Sequence, residues 1–195
     1  MKKVLTFAML GVLAGNAWAE EAVEPKIIAP YLSLGVGAGA LTAQGQDGSN
    51  GGVSLNGAFG ARFILNDQVS ARAEVELSVG AFTGDLAFGN TVHHTPVAFM
   101  TNYYLDLLTG FRLKPYVGFG VGFMSLNEEM KTASGWTVYS ENDSGFAYGL
   151  YGGIGFNLTS SGNVMGDLGL RHVSAQLFGH TIQTTTFNLG ARFVF

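Results

Sequence analysis

The feature that most limits the fold of this sequence is a repeated alternation of apolar residues with small or polar ones. In the clearest segment, Val69 to Val79, valine, alanine and leucine at odd positions alternate with serine, arginine and glutamate at even positions. Successive side chains of a β-strand point to opposite faces, so such a segment forms a strand with one apolar face. The chain is therefore predicted to be all-β.

Eight segments show this alternation, and their connections differ in length. The predicted strands are 30–42, 53–65, 69–82, 95–107, 115–126, 145–158, 164–177 and 182–195. The short connections are 66–68, 108–114, 159–163 and 178–181, and the longer, more polar ones are 43–52, 83–94 and 127–144. Short turns at one end and longer loops at the other are typical of an outer-membrane barrel.

Composition indicates which face of the sheet is the interior. The chain has 29 glycines among 195 residues, and only 12% of its residues are charged. The outer face of a soluble sandwich would carry many charges, whereas Gly118, Gly120 and Gly122 leave little there to solvate. Small residues fit the narrow interior of an eight-stranded barrel. We therefore predict an eight-stranded antiparallel up-and-down transmembrane β-barrel with its apolar face toward lipid, and keep a soluble sandwich as the alternative.

Other simple properties exclude several classes of protein. After residue 19 there is no uncharged apolar run of about 18 residues, so membrane-spanning helices are not expected. The chain has no cysteine, which excludes disulfides and thiolate metal sites. Its net charge of −4 argues against a nucleic-acid partner.

The N-terminus has the pattern of a secretory signal peptide. Lys2 and Lys3 precede an apolar stretch from Val4 to Gly15, and Ala17-Trp18-Ala19 supplies a small-x-small cleavage site. A retained anchor helix is the alternative. The predicted organisation is a signal peptide at 1–19 cleaved after Ala19, a short periplasmic segment at 20–29 and the barrel at 30–195.

The charges within the strands fall mainly on the small-residue face and are predicted to lie in the barrel lumen. Four of each sign can neutralise one another away from water. They are Arg62, Arg72, Arg171 and Arg192 with Glu74, Glu76, Asp106 and Asp167. Glu74 and Glu76 could also act as an acid–base pair, but neutralisation by arginine is favoured. A lumen filled in this way disfavours a conducting pore.

Aromatic residues near the strand ends are predicted to form belts at the two membrane interfaces. The candidates are Tyr31, Phe63, Tyr103, Tyr116, Phe156 and Phe195 at the turn end, and Phe82, Phe123 and Phe146 at the loop end.

Several segments carry a family resemblance. The sequences Asn-Tyr-Tyr-Leu-Asp-Leu at 102–107 and Lys-Pro-Tyr-Val-Gly-Phe-Gly-Val-Gly at 114–122 resemble the small outer-membrane β-barrel family of opacity-type and OmpA-like porin-family proteins. Segments 167–172 and 188–195 are similar to the last two strands of that family. The resemblance implies contact with outer-membrane lipid including lipopolysaccharide, and recognition of the C-terminal Phe195 by the barrel-assembly machinery.

His172 and Ser174 share the face that the alternation turns toward lipid. The pair resembles the His-x-Ser of the lipid A 3-O-deacylases, whose serine nucleophile is activated by histidine. The glutamate that orients this histidine has no counterpart, since residues 181–195 contain no acid, and Ala175 replaces the usual asparagine. We therefore predict no catalytic activity, with lipid A deacylation as the alternative. A non-catalytic explanation of the pair is that strand 164–177 leaves the membrane at this point, where polar side chains meet lipid headgroups or water.

The remaining candidates indicate no metal and no cofactor. His93, His94 and His180 lack partners at metal-binding spacing, so they are expected to be solvated loop residues. The glycine runs at 35–39 and 118–122 lack the strand-to-helix context of a nucleotide site.

The segment 127–144 carries Trp136 and Tyr139 among acidic residues. It is either a binding epitope or an extended hairpin that stands above the membrane, and aromatic side chains often anchor interfaces. The sequence thus favours a surface or structural protein of the outer membrane. Loops 43–52, 83–94 and 127–144 are its candidate contacts with an extracellular ligand.

Overall fold

The computed structural model of the chain describes residues 26–44, 48–108 and 113–195, and these form a closed antiparallel barrel. Each strand pairs with the next, and β8 pairs with β1 from Tyr31 opposite Val194 to Ala43 opposite Ile182. The strands are β1 Lys26–Ala43, β2 Asn50–Ile64, β3 Val69–Asp85, β4 Thr91–Leu107, β5 Leu113–Lys131, β6 Thr137–Asn157, β7 Val164–Leu177 and β8 His180–Val194. The predicted fold class is confirmed.

The outer wall of the barrel is apolar, as expected for a surface that contacts lipid. In every strand, large apolar side chains on the outward face remain exposed. They include Leu34 and Val36 of β1, Leu55 and Phe59 of β2, Leu77 of β3, Phe99 of β4, Val117 and Phe123 of β5, Leu150 of β6, Leu170 of β7 and Phe187 of β8. Closing the sheet gives this wall the hydrogen bonds that lipid could not supply.

The interior has two layers. Toward the loops it is filled by an apolar cluster, and toward the turns it contains polar and charged side chains. The apolar cluster includes Leu41, Phe82, Ala98, Met100, Met124, Leu126, Ala147, Val173, Ala175, Leu177 and Ile182. The polar layer includes Ser70, Arg72, Glu74, Glu76, Asn102, Asp106 and Arg192.

Several strands extend further than the alternation predicts. β1 begins at Lys26. β5 extends to Lys131, and β6 already begins at Thr137. The segment 127–144 is therefore an extended hairpin with a short tip at 132–136. Both faces of this ribbon meet a polar environment, so neither face is forced to be apolar and the alternation disappears.

Three residues of the predicted aromatic belts lie inside the barrel instead. Tyr31 and Phe82 are almost fully buried, and Tyr116 packs its ring edge-on against Tyr104 in the lumen. Each has the same parity as the small or charged lumen residues of its strand, and parity determines the face. The prediction gave weight to their position near a strand end and overlooked their parity.

The connection between β3 and β4 contains a 3-10 turn at Ala87–Gly89. In the described ranges, no helix has the length and apolar character needed to cross a membrane. The predicted signal peptide, its cleavage after Ala19 and residues 20–25 lie outside the described residues.

Candidate functional site

Six of the eight predicted lumen charges form ion pairs between strands. Arg72 Nε of β3 lies 2.9 Å from Asp106 Oδ2 of β4, and both side chains are almost fully buried. Arg192 Nη2 of β8 lies 2.7 Å from Asp167 Oδ1 of β7. Arg171 of β7 pairs with Glu76 across the lumen on β3. Burial of an unpaired charge is costly, so charged side chains can lie in the barrel interior because they are paired.

The other two predicted lumen charges are held by hydroxyl groups. Glu74 accepts hydrogen bonds from the Tyr31 hydroxyl at 2.8 Å and the Tyr104 hydroxyl at 2.9 Å. Arg62 Nε donates to Ser70 Oγ at 3.1 Å. The sequence showed which residues carry charge but did not reveal tyrosine as the partner of Glu74.

A small cavity of about 80 Å³ lies among these groups, lined in part by Glu74, Tyr151 and Arg192. Toward the loops the apolar cluster closes the lumen with Met100, Met124 and Leu126, all fully or almost fully buried. The interior therefore consists of paired charges beneath an apolar plug, an arrangement that holds opposite walls together.

On the outer wall, the structure places His172 beside Thr185 of β8. His172 Nδ1 and Thr185 Oγ1 are 2.9 Å apart. Ser174 is fully buried between its register neighbours Tyr148 and Gln183, and its Oγ has no hydrogen-bond partner in the part of the chain that the structure describes. His172 and Ser174 share a face but are not hydrogen-bonded to each other. Thr185 could be identified as the partner of His172 only from the register between β7 and β8.

Of the three loop-end histidines, only His94 clearly differs from the expectation of solvated side chains. His94 is almost fully buried, with Nδ1 3.3 Å from Glu128 Oε2, because its parity turns it toward the mouth of the lumen. His93 Nδ1 lies 3.2 Å from the Thr83 hydroxyl, and His180 is exposed. Among residues 26–44, 48–108 and 113–195, no group of three potential ligands could hold a metal ion.

The outward apolar side chains of β4 and β5 form a band that ends toward the loops at Val97 and Phe123. His94 and Glu128 lie beyond this apolar band, outside the membrane-spanning part of their strands. Burial lowers the pKa of His94, and the neighbouring His93 lowers it further. Burial raises the pKa of Glu128, and the nearby Glu141 carboxylate adds to this effect. At neutral pH the imidazole of His94 is therefore uncharged and does not neutralise the acidic side chains around it.

The tips of the β3–β4 and β5–β6 connections present aromatic side chains. Phe88 is 97% exposed and has a φ of 62°, a left-handed conformation that is unfavourable for a bulky residue. Trp136 is 76% exposed in the tip immediately before β6. A Cβ placed on Gly89 would lie 3.4 Å from the Ala133 Cβ, which shows that the two tips are adjacent.

The rim around these aromatic residues is acidic. Tyr139 donates a hydrogen bond to Glu141 on the same face of β6. Lys131 Nζ lies 3.5 Å from Glu129 Oε2 in the same ribbon. The acidic residues of the rim are Asp85, Glu128, Glu129, Glu141 and Asp143.

Comparison with known proteins agrees with the barrel and its apolar wall. Residues 5–195 match the family described as outer membrane protein beta-barrel domain. The chain belongs to this family, and it is an outer-membrane β-barrel of the Gram-negative type. No curated protein matches it significantly.

Two solved structures with the same fold illustrate how diverse such barrels are. Neisserial surface protein A aligns with a TM-score of 0.60 and 16% identity, over 85% of this chain and 97% of its own. The outer membrane enzyme PagL aligns with a TM-score of 0.54 and 14% identity, over 81% of this chain and 97% of its own. At these identities the likeness concerns the fold alone.

Proposed function

We propose that this protein is a non-enzymatic surface protein whose exposed tips contact an extracellular partner. Phe88 carries the proposal, because an almost fully exposed aromatic side chain on a left-handed backbone is unfavourable for folding. Backbone strain of this kind costs roughly 1–3 kcal/mol and tends to occur at functional sites. Trp136 on the adjacent tip enlarges the same surface.

The lumen argues against the passage of solutes through the barrel, and the outer wall argues against catalysis. Both therefore support this proposal. The apolar cluster and the ion pairs fill the lumen, leaving the small cavity described above. Ser174, the candidate nucleophile, is buried and not hydrogen-bonded to His172. Swelling of protein-containing vesicles in sugar solutions tests the first point, and rapid sugar uptake would count against the proposal.

The experiment compares adhesion to cultured epithelial monolayers for cells that express the wild type or a Phe88→Ala, Trp136→Ala double variant. We expect the double variant to reduce adhesion while the barrel remains folded. Phe187→Ala is the matched control, since Phe187 is also exposed but faces lipid. Adhesion that is equal in all three strains, with equal surface amounts, contradicts the proposal.

Lipid A deacylation is the second candidate, favoured by the contact between His172 and Thr185. A hydroxyl at 2.9 Å can fix the tautomer and orientation of the imidazole, although it adds no negative charge. Mass spectrometry of lipid A from expressing cells tests this candidate. Loss of an acyl chain that His172→Ala and Ser174→Ala both abolish would establish the enzyme, and unchanged lipid A would remove it.

We propose two further partners for the barrel. Its apolar wall is proposed to contact lipopolysaccharide in the outer leaflet. Phe195, which is 73% exposed, is proposed as the signal read by the barrel-assembly machinery. Phe195→Ala is expected to lower the amount of folded protein in cells without changing refolding of the purified chain.

A further inference from the structure

The upper part of β6 is a sheet edge, because among the described residues it has a neighbouring strand only on the β5 side. β6 pairs with β5 along its whole length, up to Thr137 opposite Lys131. Its pairing with β7 ends at Ala147 opposite Ala175. Beyond that point, Asp143 accepts a hydrogen bond from the Phe178 backbone N–H at 2.5 Å. Among the described residues, none pairs with the other edge of β6 from Thr137 to Asn142.

This edge is extended and open to solvent. All six residues from Thr137 to Asn142 are exposed, and they span about 20 Å along the strand. Every second residue of such an edge directs its N–H and C=O groups outward without a partner. An edge of this kind is a template to which another extended segment can add as a strand.

The charge of the ribbon indicates what kind of segment fits. Tyr139, Glu141 and Asp143 share the face of β6 that continues the lumen wall, and Glu128 lies opposite Glu141 on β5. The burial of His94 keeps it uncharged beside these carboxylates. An added strand would place alternate side chains on this acidic face, where opposite charges in neighbouring strands attract.

We propose that the Thr137–Asn142 edge binds an extended cationic segment of a partner protein by strand addition, with alternate lysine or arginine side chains above Glu141 and Glu128. The inference rests on the proposed function, because it names the partner chemistry for the same rim. A second copy of this chain would place the acidic edges against each other, so like charges oppose pairing between copies.

The test uses the full-length mature barrel in neutral detergent micelles and a capped hexapeptide in which lysine alternates with threonine. Trp136 adjoins the edge, and the only other tryptophan, Trp18, lies in the predicted signal peptide, so tryptophan fluorescence reports binding. We expect saturable binding that weakens with salt. A hexapeptide with glutamate in place of lysine is expected not to bind.

Backbone methylation distinguishes strand addition from simple charge attraction. One peptide is N-methylated on its lysine amides and a second on its threonine amides, which leaves side chains and charge unchanged. In strand addition one set of amides faces β6 and the other faces solvent. One methylated peptide should therefore bind about tenfold more weakly or not at all, and the other should bind normally. Equal binding of both peptides overturns the proposal.

Matched variants test the face of the ribbon. Glu141→Gln is expected to weaken peptide binding about two- to fivefold, whereas Glu129→Gln on the opposite face should leave it unchanged. Equal effects of the two variants, or a stable dimer of the protein alone by mass photometry, would also overturn the proposal. If the peptide does not bind while adhesion still requires Phe88 and Trp136, this inference fails and the proposed surface function stands.

Discussion

The Arg72 side chain shows that a charge buried in the barrel depends on its partner. Its guanidinium contacts Asp106 at 2.9 Å and lies 4.2 Å from the centre of the Tyr104 ring. Arg72→Met leaves the Asp106 carboxylate buried without its cation, so we expect a loss of about 3–5 kcal/mol in the free energy of unfolding. Urea unfolding in micelles, followed by circular dichroism, measures this loss.

The control for Arg72→Met is the double variant Arg72→Met, Asp106→Leu, which removes both charges. It should recover much of the lost stability, because no unpaired charge remains. A double variant as unstable as the single one would show that packing of the arginine, and not its charge, is what stabilises the wall.

Gly118 illustrates the need for small residues inside a narrow barrel. A Cβ there would clash with the Tyr104 ring and lie 2.7 Å from the Tyr103 carbonyl oxygen. Gly118→Ala should therefore cost about 1–3 kcal/mol, seen as less heat-resistant folded protein on gels. Gly51→Ala is the matched control, since a Cβ at Gly51 meets open space. Equal stability of the two variants would contradict this explanation.

Individual residues were predictable where parity alone decides and unpredictable where register decides. The parity of Arg72 and Glu76 indicated their face, but the partners Asp106 and Arg171 lie on other strands. Tyr31 and Phe82 were assigned wrongly, since position along a strand was preferred to parity. Thr185 could not be linked to His172 before the pairing of β7 and β8 was known.

The strands were predictable within the membrane and less so beyond it. Lipid on one side and a cramped lumen on the other force the alternation that marks the central residues of β3 or β8. Above the membrane, the β5–β6 ribbon has water on both faces, so its sequence shows no such pattern. Its length emerged only from the pairing of Met130 with Tyr139.

The two parts of β6 should respond differently to proline. Leu150 is paired on both sides, with Phe119 and His172, whereas Ser140 has a strand partner among the described residues only in Glu129. Proline removes a backbone donor, which the membrane interior cannot replace. We expect Leu150→Pro to prevent accumulation of folded barrel and Ser140→Pro to leave most of it, as measured by gel mobility of outer-membrane fractions. Equal loss would argue against a free upper edge.

For the whole molecule, the position of the membrane can be tested with two valines of similar exposure. Val117 is 65% exposed within the apolar band, and Val138 is 60% exposed on the ribbon. Arginine facing the middle of the bilayer costs about 2–4 kcal/mol. Val117→Arg should therefore destabilise the barrel in lipid vesicles, and Val138→Arg should have little effect. Similar losses would mean that the band is misplaced.

The mouth of the barrel has a tall side and a low side. β7 and β8 are joined by a short turn near Phe178, while the neighbouring β6 continues from Ser144 up to Thr137, about 25 Å further along its strand. In a bacterial outer leaflet, where sugar chains stand upright around each protein, the low side is screened and the tall side emerges. A large binding partner, such as an antibody or another cell, therefore approaches the molecule from the tall side and contacts that side alone.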